Sequence, residues 1–182
     1  MEECVKQAFE DAFNRILPGL QMLVRDVNLP EETAAKYTPG ILIRETAFCD
    51  ATFRVGGMAT THRYAILTNH FLDTTQHLED KENWGLCICQ RGSRFKVLDI
   101  YCYEGKTQIT LLHLDEGYGW ELFQHMQSNI EDDLVKMSRE RFEKKCTLPP
   151  IPEVSAPLWL ERCAMPVGIN DKNEFIPLKE MN

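Results

Sequence analysis

The sequence lacks any apolar run of about 18 residues, which is the length that a membrane-spanning helix requires. Its first residues, Met1-Glu2-Glu3-Cys4-Val5-Lys6, also lack the basic start and the apolar stretch of a secretion signal. We therefore expect a protein without a membrane span or a membrane partner, located in the cytoplasm.

An excess of basic residues is missing as well. The 182 residues include 20 Lys and Arg against 28 Asp and Glu, so that the formal net charge is −8. A protein that binds phosphate backbones needs a basic surface, and the charge therefore argues against a general nucleic-acid partner. The acidic surface either keeps the protein soluble or meets a protein partner with a basic surface.

Local catalytic and cofactor motifs are also absent. The sequence contains no G-x-S-x-G, no H-E-x-x-H, no glycine-rich phosphate loop and no dinucleotide-binding fingerprint. We therefore assign no catalytic residue, no metal ligand and no cofactor from the sequence.

Seven cysteines are present, an odd number without the spacing of a disulfide framework, which indicates a reduced protein with free thiols. Cys87 and Cys89 share one face of a predicted strand, with Ile88 on the other face. Zinc usually takes four ligands from paired units, and no second pair occurs. Because a free cysteine packs like a small apolar residue, we predict that both thiols are buried and unbridged.

A site assembled in space would leave no local motif. A nucleophilic thiol needs a base nearby, and a carboxylate can orient that base. The thiols, imidazoles and carboxylates available for such a site are Cys49, Cys102, Cys163, His62, His70, His113, His125, Asp50, Asp73, Asp99, Asp115 and Glu116. Asp99 lies among aromatic residues of a predicted strand, where we expect a hydrogen-bonded or salt-bridged structural carboxylate.

The segment from Asp115 to Glu121 joins the last predicted strand to a helix and carries two glycines. Tyr and Trp side chains contribute much of the binding energy of protein interfaces. We predict a protein-binding surface here, with four candidate residues: Asp115, Glu116, Tyr118 and Trp120. The alternative is that Trp120 begins the apolar stripe of the helix and packs in the core.

Residues 2–27 place apolar side chains at steps of three and four, which is typical of an amphipathic helix. Pro18-Gly19 interrupts the pattern, so that we expect a kink or two short helices. The residues expected to be buried against a sheet are Phe9, Phe13, Ile16 and Leu20. A second, long helix is predicted over residues 116–146, where apolar residues return to helical spacing.

Residues 41–114 alternate between apolar and polar side chains, as half-buried strands do. Gly56-Gly57 suits a turn between two strands, and glycines mark two more tips in the segment 85–114. The pattern predicts an α+β fold with an antiparallel sheet of about five strands, including a meander over 85–114.

Residues 147–182 hold six of the nine prolines, which excludes a long helix there. The apolar residues among them, such as Trp159, argue against disorder. We expect one domain over 1–182, composed of a helical segment (1–40), a sheet (41–114), a helix (115–146) and an extended arm packed on the domain (147–182).

These features favour a non-catalytic, acidic binding protein of the inhibitor, immunity or adaptor type, which acts through protein–protein contact. Two other functions stay open. One is an enzyme of hydrolase type with a Cys, His and carboxylate site, and the other is a domain that binds a small molecule or a metal. The sequence leaves the oligomeric state open.

Overall fold

The structure is a computed structural model, which describes residues 2–114, 117 and 119–180. Within these residues, eight strands form one mixed sheet. The strands are β1 (Gln21–Val27), β2 (Leu42–Arg44), β3 (Cys49–Thr52), β4 (His62–Thr68), β5 (Leu72–Asp73), β6 (Leu86–Cys89), β7 (Arg94–Tyr103) and β8 (Lys106–Leu114). The α-helices of this described part are α1 (Glu2–Ile16), α2 (Glu31–Ala34), α3 (Asn129–Cys146) and α4 (Pro157–Arg162).

The strands follow the order β2-β7-β8-β4-β1-β3-β6-β5 along the sheet. β4 and β8 run parallel, and the other neighbouring pairs are antiparallel. The predicted antiparallel sheet of about five strands is therefore wrong in strand number and in strand direction. The parallel pair forms because residues 69–105, which include β5 to β7, allow the chain to return beside β4 in the same direction.

Residues 21–27 form a central strand, and the prediction of a helix through this segment is wrong. β1 lies between β4 and β3, and its residues from Leu23 to Val27 are all buried. A strand that is buried on both faces has a continuous run of apolar residues. Spacing alone does not distinguish such a run from a buried helix.

The predicted meander is correct only in its second half. β7 and β8 form a hairpin with Glu104 and Gly105 at positive φ in its turn. β6 pairs with β3 and β5 instead, five positions away from β7 in the sheet. A flat sheet would separate these strands by about 24 Å. The connection from Cys89 to Arg94 spans at most about 18 Å, so that the sheet must curl.

Gly56-Gly57 does not join two paired strands, because β1 lies between β3 and β4. A Cβ atom added to Gly57 would lie 1.7 Å from the main-chain oxygen of Leu148, and the Gly57 amide donates to the Pro149 oxygen at 3.1 Å. The glycine therefore allows the C-terminal arm to approach the chain closely.

The predicted helix over 116–146 is shorter in the structure. A 3-10 turn covers Trp120–His125, and α3 starts only at Asn129. The side chain of Ser128 accepts a hydrogen bond from the Glu131 amide, and the Glu131 carboxylate accepts one from the Ser128 amide. This reciprocal capping box ends the preceding turn and begins the helix.

Two apolar clusters cover opposite faces of the sheet. Neighbouring residues of one strand contribute to different clusters, as Leu111 and Leu112 do, because side chains alternate along a strand. Phe13 and Ile16 of α1 are buried in the second cluster, as predicted. Leu20 follows the helix and is half-buried, and the Phe9 side chain lies outside the described part of the protein.

The arm, residues 147–180 of the described chain, lies against the sheet. Trp159 is 1% exposed and packs with Val154 and Cys163 into a third apolar cluster. Trp84 and Leu86, from the segment that enters β6, pack against this cluster. None of the described helices is long and apolar enough to cross a membrane.

Candidate functional site

Three of the four predicted binding residues, Asp115, Glu116 and Tyr118, lie outside the described residues. Trp120 is half-buried and packs beside the cluster of α1 and α3. The Arg94 guanidinium lies 4.6 Å from the centre of its ring. The Trp120 ring is thus in contact with its own chain, and the four-residue binding surface stays a prediction.

Of the three cysteines considered as nucleophiles, Cys49 and Cys163 are buried and Cys102 is exposed. Cys87 and Cys89 are buried and unbridged, as predicted. Burial raises the pKa of Cys49 to about 12 and the pKa of Cys163 to about 11. Since only the thiolate is nucleophilic, these thiols are inert near neutral pH.

Within the described residues no group of three or more His, Cys, Asp and Glu side chains could hold a metal ion. Asp99 accepts two hydrogen bonds from Arg139, at 2.6 and 2.8 Å, which confirms the prediction of a salt-bridged structural carboxylate. Asp50 has a different environment, because it lies beside a buried arginine of β1.

Arg25 is a buried charged residue of the central strand β1, which the sequence analysis did not single out. Its Nη1 donates to the main-chain oxygen of Asp50 at 3.0 Å, and its Nη2 donates to the main-chain oxygen of Met165 at 2.9 Å. Its Nε is buried without a hydrogen-bond partner among the described residues. Arg25 as a whole is 6% exposed. Its guanidinium thus donates to neutral carbonyl oxygens, and its Nε remains a donor without an acceptor among the described residues.

Asp50 lies on β3, next to β1, and its carboxylate is only partly bonded. Oδ2 forms a salt bridge with Nε of Arg162 at 2.7 Å. Oδ1 is buried and accepts no hydrogen bond from the described chain. Arg162 belongs to the arm and is 41% exposed, so that the bond to Asp50 reaches the surface of the protein.

Trp84 precedes β6, and its main chain is fixed on both sides. The Asp80 carboxylate accepts hydrogen bonds from the amides of Trp84 and Gly85, at 2.9 and 2.8 Å. The hydroxyl of Thr52, at the end of β3, donates to the Trp84 oxygen at 2.6 Å. The indole ring meets Trp159 of the arm at 5.4 Å between ring centres.

The arm covers this region through its main chain. The Tyr37 hydroxyl donates to the Val167 oxygen at 2.6 Å, and the Val167 amide donates to the Tyr64 hydroxyl at 3.2 Å. The two hydroxyls lie 2.7 Å apart. The Gly168 amide donates to the Glu45 carboxylate at 3.0 Å. Burial raises the pKa of Tyr37 and of Tyr64, so that both remain neutral hydrogen-bonding groups.

We call the cluster of Arg25, Asp50 and Trp84 the Arg25 site. Arg162 links its parts, because the same guanidinium bonds to Asp50 and lies 5.9 Å from the centre of the Trp84 ring. A guanidinium binds phosphate, an indole ring stacks on a flat ring, and a carboxylate stabilises a developing positive charge. The arrangement combines the groups that a nucleotide would require.

The sequence contains a signal for this site. Arg25 and Asp26 interrupt the apolar segment from Met22 to Val27. Charged residues are seldom fully buried unless they are paired, so that two charges within a buried strand indicate polar partners inside the protein. The apolar spacing predicts an amphipathic helix over this segment, in which charged residues face water and therefore indicate no site.

No protein-family model matches the sequence, and the search of curated proteins finds no match. Solved structures similar to this chain include Exoenzyme S from Pseudomonas aeruginosa, in complex with human 14-3-3 protein beta and bound to Carba-NAD. It is 14% identical over 71% of this chain and 62% of its own, with a TM-score of 0.47.

Two further structures are similar to this chain. C3stau2 from S. aureus, with NAD, is 12% identical over 63% of this chain and 71% of its own, with a TM-score of 0.44. The ADP-ribosyltransferase HopU1 of Pseudomonas syringae pv. Tomato DC3000 is 17% identical over 52% of this chain and 46% of its own, with a TM-score of 0.46. The chain thus spans less than two thirds of the length of Exoenzyme S and of HopU1.

These comparisons correct the functional prediction. The similar structures are named as an exoenzyme and as an ADP-ribosyltransferase, whereas the sequence analysis favoured a non-catalytic, acidic binding protein. That prediction is wrong. The similarity is distant, so that any function of this chain has to be argued from its own residues.

Proposed function

We propose that the chain is an enzyme that transfers ADP-ribose from NAD at the Arg25 site. The observation that carries the proposal is the pair of incompletely bonded charges beneath the arm, Nε of Arg25 and Oδ1 of Asp50. Buried charges of native proteins are normally paired, and unbonded ones indicate a ligand that completes them. The similar structures serve only to choose the transfer of ADP-ribose from NAD as the reaction that is tested first.

Arg25 is assigned to the diphosphate of NAD. Its Nε is available, and the Nη2 that binds the Met165 oxygen can exchange this neutral acceptor for a phosphate oxygen. The planar guanidinium can then form two parallel, charge-assisted hydrogen bonds, which a lysine cannot reproduce.

Trp84 and Asp50 are assigned to the rings and to the ribose. The Trp84 indole, which Trp159 and the Arg162 guanidinium contact, would take one of the two bases in place of Arg162, and its main chain is held by Asp80 and Thr52. Asp50 is bonded to Arg25 through its main-chain oxygen, and its carboxylate is assigned to the ribose that carries nicotinamide.

The reaction breaks the bond between C1 of this ribose and the nicotinamide nitrogen. The bonding electron pair leaves with nicotinamide, which becomes neutral, and a positive charge develops on the ribose ring. The Asp50 carboxylate stabilises this charge electrostatically, as carboxylates do in glycoside cleavage. A nucleophile of the acceptor then donates a lone pair to C1 and loses its proton to water.

The acceptor is proposed to be a protein with a basic surface. The net charge of −8 attracts such a partner and increases the rate of encounter. Exoenzyme S was crystallised with a protein partner, but no partner of that kind is transferred to this chain. We further propose that the reaction takes place in a cytoplasm, where the seven free thiols would remain reduced.

The test measures nicotinamide released from NAD by the whole protein, with and without polyarginine as acceptor. Asp50→Asn keeps the shape of the side chain but removes its charge, and we expect a rate lower by about 100-fold or more. Arg25→Lys should weaken the binding of NAD by about tenfold, because the paired hydrogen bonds are lost.

Asp133→Asn is the matched control, since this exposed carboxylate lies on α3 away from the site. It should release nicotinamide at the rate of the unmodified protein. Equal rates for the unmodified protein and for Asp50→Asn, or no release from either, would overturn the proposed function.

A further inference from the structure

The Arg25 site is covered by a segment of the same chain, residues 163–168, which we call the closing segment. Cys163 and Val167 are 0% and 1% exposed, so that the segment is packed against the protein. It follows α4 directly and supplies the Met165 oxygen that Arg25 binds. NAD can therefore bind Nη2 of Arg25 only after the Met165 oxygen has left it.

The contacts of the closing segment with the sheet are formed mainly by its main chain. Arg25, Tyr37, Tyr64 and Glu45 bind carbonyl oxygens or amides of Met165, Val167 and Gly168. The side chain of Met165 itself is 55% exposed. Polar side chains of β1, β4 and two loops thus bind the main chain of the closing segment, as the side chains of a groove bind a peptide.

From these contacts we infer that the closing segment is an intramolecular competitor of the substrate. Local release of residues 163–168 opens the Arg25 site, and their return closes it. The inference rests on the proposed function for the identity of the substrate, whereas the release of the segment can be measured without any substrate.

Gly168 is the point at which the segment can be displaced by a small change. Its φ is +77°, and an added Cβ would lie 2.9 Å from the Cβ of Ile43. Gly168→Val would therefore strain the main chain and push the segment away from β2. Gly105 has nearly the same φ, +73°, with open space around it. Gly105→Val thus reproduces the strain at the β7–β8 turn without the collision.

Cys163 reports the release of the segment, because its thiol is 0% exposed in the closed form. The rate of its alkylation by iodoacetamide is followed by mass spectrometry of the resolved peptides. Cys87 on β6 is also 0% exposed and serves as the internal control for unfolding of the sheet. Only alkylation that is faster at Cys163 than at Cys87 reports local release.

We expect Gly168→Val to increase the alkylation rate of Cys163 by at least tenfold while the rate of Cys87 is unchanged. Gly105→Val should change neither rate. A milder second variant, Arg162→Ala, removes the bond to Asp50 at the surface and should increase the Cys163 rate by about two- to threefold. A synthetic peptide of residues 161–170, added to Gly168→Val, should compete with NAD for the opened site.

Two results would overturn the inference that the closing segment competes with the substrate. One is an unchanged Cys163 rate in both Gly168→Val and Arg162→Ala. The other is an equal rise at Cys163 and Cys87, since the segment would then separate only when the whole sheet unfolds. If Cys163 becomes accessible and NAD still does not bind, the failure belongs to the proposed function, and the release of the segment stands.

Discussion

The salt bridge between Arg63 and Asp26 should be one of the most sensitive polar contacts of the fold. Arg63 on β4 donates to the carboxylate of Asp26 on β1 at 2.6 and 2.8 Å, and its side chain is 2% exposed. Asp26→Asn leaves a buried guanidinium without a counter-charge. Breaking a buried ion pair from one side costs about 3–5 kcal/mol of the free energy of unfolding.

The bridge between Arg139 and Asp99 is a matched control. Its two hydrogen bonds have the same lengths, 2.8 and 2.6 Å, but the Arg139 side chain is 43% exposed. After Asp99→Asn the released guanidinium can turn into water. We therefore expect a loss of about 1 kcal/mol, in the range of partly exposed ion pairs.

Urea unfolding followed by circular dichroism measures both variants. A loss of 3–5 kcal/mol corresponds to a fall in the melting temperature of about 6–20 °C for a chain of this size. If Asp26→Asn and Asp99→Asn lose equal stability, burial of the arginine does not determine the cost, and the reasoning is refuted.

Three further predictions concern the core, the thiols and the tyrosines. Phe13→Ala should lower the free energy of unfolding by about 3–5 kcal/mol, because Phe13 is 7% exposed and packs edge to face against Phe123. A loss below about 1 kcal/mol in urea unfolding would contradict the place of Phe13 in the core. Cys102, which is exposed, should react with a thiol reagent at pH 8 far faster than Cys87, whose pKa burial raises to about 12; equal rates would contradict the packing of β6. Burial raises the pKa of Tyr37 above its unfolded value near 10, so that the folded state holds this proton more tightly than the unfolded state. Stability should therefore fall as the pH rises above 10. An unchanged melting temperature between pH 9 and 11 would contradict this prediction.

The strands bounded by turn residues could be predicted from the sequence, whereas β1 could not. His62 to Thr68 and Arg94 to Tyr103 show turn residues at their ends, and both segments are strands in the structure. β1 has no such limits, since Pro18-Gly19 was compatible with a kinked helix. Strand partners were harder still, because pairing of β3 with β6 depends on chain segments that lie far apart in sequence.

The candidate site was predictable only in part. Asp50 was among the possible acids, and Trp159 was expected to be buried, which the structure confirms. Arg25 was missed with the strand that carries it. The hydrogen bonds of Val167 with two tyrosines could not be foreseen, because they involve main-chain atoms, which leave no mark in the residue types of the closing segment.

The position of the closing segment in the chain has a consequence for folding during synthesis. Every strand of the sheet precedes residue 115, so that the ribosome releases β1 to β8 well before it releases residues 163–168. A nascent chain can therefore pair its strands while Arg25, Tyr37 and Glu45 still face water or a chaperone. Completion of the buried interior waits for residues 163–168. A pause or a premature stop before these residues would yield chains with a formed sheet and an uncovered apolar and charged surface, which quality-control proteases would degrade.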